Sequence, residues 1–161
     1  MWSKTIIYKQ KVKDNLKESY KHLSRLNQAF TQLEKSYQFS IDKKSFANIV
    51  ESVQDLAYSD QIIYRFSKLQ DIMGAKLFNS LLLFQGENVN KPFLDILNQL
   101  EKMDIINVDK WFEIRDLRNE IAHDYEESDE ISISILNMIY RLKDELENIL
   151  NSIAILVEKE Y

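Results

Sequence analysis

The chain has 161 residues, 45% hydrophobic and 29% charged, a composition that can bury a core and argues against disorder. Two glycines and one proline leave almost nothing to punctuate hairpins or sandwich loops, which argues against an all-β fold, and the absence of cysteine removes disulfides, thiolate metal sites and Cys nucleophiles. A net charge of −5 supplies no overall basic field, so contact with nucleic acid would need a local arrangement of cations. These values predict one all-α domain over 1–161 in a reducing cytoplasm, with no membrane span and no metal or other cofactor.

In chain order, Val12, Leu16, Leu23, Leu26, Phe30, Leu33 and Tyr37 recur at helical spacing and predict a long first helix from Lys4 to about Tyr37. After a break at Ser40–Asp42, a second helix is expected over Lys43–Tyr58. A third, Asp60–Gln85, turns Ile62, Phe66, Leu69, Met73, Leu77 and Leu81 inward and ends at Gly86. Asn90-Lys91-Pro92 reads as the start of a short fourth helix to Met103, because proline is tolerated in a first turn. A fifth begins near Asp109 and stops at the acidic stretch Glu126–Glu130. Ser128 is a candidate N-cap for the last helix, Ile131 to about Glu158. The expected architecture is an antiparallel helical bundle with a long N-terminal helix.

Most catalytic signatures are missing: there is no Gly-rich phosphate loop, and His22 and His123 are too few for a histidine metal site. The acidic residues 126–130 fit the dipole of the helix that follows. Tyr8, Tyr20, Tyr37, Tyr58 and Tyr64 fit core or rim packing better than a base-stacking platform.

The segment 111–125, Trp-Phe-Glu-Ile-Arg-Asp-Leu-Arg-Asn-Glu-Ile-Ala-His-Asp-Tyr, stands apart. At about 100° per residue, with Ile114, Leu117 and Ile121 inward, His123 falls about 180° from Ile114 and shares the outer face with Asn119, Arg115 and Phe112. Arg118 lies at the border of the core face, within reach of the same surface. An Arg fork suits phosphate and a His exchanges protons near neutral pH, so the pair suits attack on a phosphodiester: His123 moves a proton while Arg118 holds the phosphate. One His per chain is a thin acid–base set, and two copies meeting across this face would double it.

Arg118-Asn119-Glu120-Ile121-Ala122-His123 resembles the Arg-x4–6-His motif of the HEPN superfamily, and Asp124-Tyr125 extends it to the Arg-x4-His-x-Tyr form of HepT-type toxins. The resemblance implies a helical homodimer that acts as a metal-independent ribonuclease on tRNA or mRNA. It also implies a type VII-like toxin–antitoxin pair, in which an MNT-type nucleotidyltransferase neutralises the toxin by transferring AMP to the motif tyrosine, here Tyr125. More loosely, 60–66 with Met73-Gly74 resembles the helix that faces the motif helix, which makes Asp60 and Arg65 supporting candidates beside Asn119 and Arg115. For Arg65 the plainer alternative is a helix-surface salt bridge to Asp60 or Asp71. The long first helix and the acidic balance depart from the compact HepT pattern.

Two other readings stay open: a non-catalytic binding subunit of a nucleotidyltransferase, and a structural domain in which His123 is incidental. Tyr125 also has two. If the motif helix continues past it, the ring packs inward; if the helix ends at His123, as the acidic residues that follow suggest, the ring turns to the surface and can accept a nucleotide. An added AMP would set negative charge beside Arg118 and block a phosphate site.

Overall fold

The computed structural model describes residues 3–159. Helix α1 (Lys4–Glu34) starts on Ser3, whose Oγ accepts from the Ile6 amide at 3.3 Å. The others are α2 (Lys43–Glu51), α3 (Val53–Ile72), α4 (Phe78–Phe84), α5 (Phe93–Lys102), α6 (Val108–Asp124) and α7 (Asp129–Lys159), with α3 and α4 joined by a π turn at Met73–Leu77. The described residues contain no strand.

Three boundaries differ from those expected. Helix α1 stops at Glu34 instead of Tyr37, where Ser36 and Tyr37 donate back to the Leu33 carbonyl. The second break lies at Ser52 and not at Tyr58–Asp60, because the Ser52 hydroxyl accepts from the Asp55 amide and starts α3 there. Ser59 and Asp60 therefore sit inside α3, with Ser59 fully buried. The single expected third helix is interrupted by the π turn. Elsewhere the turn chemistry acts as its residues imply: Gly86 takes φ +81°, and the Glu87 and Gly86 amides close back on the Leu82 and Leu83 carbonyls. Ser128 caps α7 through Ile131 N.

Cross-helix bonds establish the topology. Asn15–Ser80, His22–Arg65 and Tyr37–Asp55 run α1 antiparallel to α3 and α4. Tyr20–Asn151 and Tyr140–Glu34 do the same for α1 and α7. Ser59–Tyr125 and Asp71–Arg118 run α3 antiparallel to α6. All these helices contribute to one apolar cluster in which Trp111, Phe30, Phe66 and Phe78 are the bulkiest fully buried side chains. No helix among the described residues is long and apolar enough to cross a membrane.

The connection between α1 and α2 is anchored from a distance: the Ile41 amide donates to Asn137 Oδ1 at 2.8 Å, and Asn137 Nδ2 donates to the Ile41 carbonyl at 3.0 Å. Asn137→Ala would leave both backbone groups short of a partner and is expected to lower unfolding free energy by about 1–3 kcal/mol in urea titrations.

Candidate functional site

The site is built where α6 crosses α3 and the π turn. Asn107 caps α6, its Oδ1 accepting from the Lys110 amide at 3.0 Å, and Trp111, Ile114, Leu117 and Ile121 seat the helix in the core. The outer face then carries Arg115, Asn119 and His123, all exposed, as the periodicity predicts. His123 makes no hydrogen bond or ion pair among the described residues, so its ring nitrogens are free toward solvent.

Arg118 is different. It is half-buried and grips Asp71 of α3 with both arms of its fork, Nε to Oδ1 at 3.0 Å and Nη2 to Oδ2 at 3.1 Å. Asp71 was legible in the sequence, since it lies eleven residues, just over three turns, after Asp60 on the same stripe of α3. The pair holds Arg118 in a defined place and also neutralises it. The exposed outer face of α6 adds Glu113, Asp116 and Asp124, so the local field around the motif is not basic.

Tyr125 resolves its two readings in a mixed way. The helix does end beside it, at Asp124, with Glu126 at φ +73° and the Glu127 amide donating to the Asp124 carbonyl. Yet the ring does not turn to the surface: it packs partly buried against the core, and its hydroxyl lies 3.3 Å from Ser59 Oγ. Burial pushes the phenol above its ordinary pKa, and the Asp60 and Glu126 carboxylates push the same way against the Ser59 hydrogen bond. Exposed Asp60 thus belongs to the Tyr125 end of the α3–α6 seam.

Arg65 is not brought to this site. It faces α1, where Nη1 stands 2.9 Å from His22 Nδ1 and the guanidinium carbon 5.1 Å from the Tyr64 ring centroid. It pairs with neither Asp60 nor Asp71, and its buried Nε has no partner. A partner was legible in neither segment, because α1 and α3 meet here only through tertiary packing. His22, 5% exposed, is the histidine with a defined environment: Nδ1 accepts from Arg65, the tautomer this contact requires.

The π turn puts Gly74 against α6. A Cβ there would stand 3.3 Å from Trp111 Cζ2, so the glycine permits the close approach that carries Asp71 to Arg118. Among the described residues no three His, Asp or Glu side chains gather in a metal-holding group. In comparisons with known proteins, no family model, curated protein or solved structure matches the chain.

Burial lowers the His22 pKa below its ordinary 6.5, and the Arg65, Lys21 and Lys68 charges lower it further against the opposing Glu18. Above that ordinary value both folded and unfolded chains hold the imidazole neutral. As pH falls below it, the unfolded chain takes up the proton first and stability drops. Urea midpoints are therefore expected to fall between about pH 7.5 and 5.5, and His22→Gln should flatten that fall.

Proposed function

We propose that the chain is a HEPN-type ribonuclease that works as a homodimer in the cytoplasm and is neutralised by an MNT-type nucleotidyltransferase acting on Tyr125. The observation that supports it most is the exposed, unpartnered His123 five residues beyond an Arg118 held in place at a helix seam. In the reaction, His123 accepts the proton of a ribose 2′-hydroxyl, whose oxygen attacks the adjacent phosphorus. The 5′-oxygen leaves with a proton given by the protonated His123 of the second copy, giving a 2′,3′-cyclic phosphate and a 5′-hydroxyl. Arg118 binds the phosphate as its charge builds, which requires the substrate to take the fork from Asp71.

On a single helix, residues 118 and 123 point about 140° apart, so a second copy across the outer face of α6 is the means of focusing both groups on one phosphate. Transfer of AMP to Tyr125 requires the ring to leave its Ser59 contact, a step the nucleotidyltransferase would have to induce. The alternative, a non-catalytic partner subunit, draws support from the same ion pair, because an Arg118 already satisfied by Asp71 has less to give a substrate.

The test is cleavage of total tRNA and mRNA in EDTA. Wild type is expected to leave cyclic-phosphate ends, and His123→Ala to slow cleavage by about 10²–10⁴-fold while unfolding like the parent. Equal inactivity of both proteins, with wild type purified free of any partner and unmodified at Tyr125, supports the binding subunit instead.

A further inference from the structure

Beside the Asp71–Arg118 pair, the junction of α3, α5 and α6 leaves a cleft of ≈ 320 Å³ lined by Gln70, Asp71, Gly74, Ala75, Phe93 and Arg115. It is a shallow, open hollow whose volume lies at the lower limit for small-ligand sites, about 300 Å³. One wall is flat and aromatic: Phe93 is half-buried, and the Arg115 guanidinium carbon stands 5.6 Å from its ring centroid. Another is polar. Gln70 is only 8% exposed, yet its side-chain amide makes no hydrogen bond among the described residues. Neither amide atom is among the buried polar atoms left without a partner, so the group keeps contact with solvent where it borders this hollow. Its Nε2 lies 3.6 Å from where a Cβ on Gly74 would stand, so the bare glycine leaves the amide open to the cleft.

We propose that this cleft binds a nucleobase, which lies against Phe93 and the Arg115 guanidinium and offers its hydrogen-bonding edge to the Gln70 amide. A carboxamide presents a donor and an acceptor side by side, the complement of a base edge such as the N6 and N7 of adenine. Rings and guanidinium planes are the surfaces on which unstacked bases settle. Asp71 is already taken by Arg118, and Arg115 lies over the Phe93 ring, so what the cleft offers a ligand is a flat aromatic and guanidinium surface beside an amide. The inference rests on the ribonuclease reading for the identity of the ligand as an RNA base. Along α6 at about 1.5 Å per residue, Arg118 lies roughly 4.5 Å beyond Arg115, which puts the phosphate position next to the base position.

The full chain carries two tryptophans, so Trp2→Phe leaves Trp111, whose ring edge packs on Gly74, as the reporter. Its fluorescence is titrated with AMP, GMP, CMP, UMP and ribose 5-phosphate, and then with a dinucleotide of the preferred base. At least one mononucleotide is expected to saturate below about 1 mM, with ribose 5-phosphate about tenfold weaker and the dinucleotide tighter. Gln70→Leu should weaken that binding by about tenfold without lowering the thermal midpoint, since the lost amide had no partner. Arg115→Ala, on an exposed side chain, should weaken it too and decides the matter if Gln70→Leu folds poorly.

Four mononucleotides that fail to saturate, ribose 5-phosphate binding as well as they do, or both variants binding like the parent would overturn the base site. A dinucleotide weaker than the mononucleotide would overturn its assignment to RNA. Base binding in a protein that cuts no RNA upholds the cleft and overturns the ribonuclease reading. Cleavage without mononucleotide binding does the reverse.

Discussion

The close approach of α6 to the π turn of α3 is the constraint on which the candidate site depends. Trp111 is fully buried, and a Cβ at position 74 would stand 3.3 Å from its Cζ2, tighter than ordinary contact. With glycine there, the two helices meet closely enough for Asp71 to take both arms of the Arg118 fork and for Phe93 of α5 to close over the junction. An uninterrupted α-helix would carry the residues after Ile72 at a different angle, since a π turn inserts extra residues into the repeat. The break therefore sets how Gly74 and α4 lie against the motif helix relative to the α3 residues that precede it.

That geometry gives Arg118 two opposed properties. A bidentate carboxylate fixes the guanidinium in position, and fixed position is what a transition-state charge needs. The same carboxylate cancels the charge that would draw a phosphate in. Because Arg118 and Asp71 both retain solvent exposure, the pair is of the kind worth roughly 1 kcal/mol or less, small enough for a phosphodiester anion or a second copy's side chains to displace. A buried pair of the same geometry would be far harder to open. The exposure of the ion pair, as much as its presence, is therefore what leaves a phosphate role open to Arg118.

The helical class was legible from periodicity and the scarcity of Gly and Pro, the antiparallel order from the short loops, and the outward face of α6 from periodicity, because burial of Ile114, Leu117 and Ile121 leaves His123 no other side to occupy. Local rules also located the caps at Ser128 and Gly86. What was not legible came from contacts between distant segments. A serine at 52 starts a helix and a serine at 59 is buried inside one, and only packing separates the two cases. Arg65 belongs to His22 across the α1–α3 seam, a pairing with no local signal in either segment. The π turn had a trace in Gly74, but a lone glycine in a helical pattern carries several meanings.

Tyr125 shows how the two kinds of information combine. The acidic stretch correctly marks the helix end, yet ending a helix frees only the backbone. Where the ring goes depends on what apolar surface lies in reach, and here α3 offers a slot closed by Ser59. A phenol buried to that extent, with its proton held more tightly than usual, is a poor nucleophile where it stands. A nucleotidyltransferase that used it would have to bind the chain so as to lift the ring from α3, and that lifting would remove a contact at the same seam that carries Asp71 and Arg118. Modification and loss of phosphate binding would then be coupled through one helix interface, beyond the repulsion an added phosphate exerts by its charge alone.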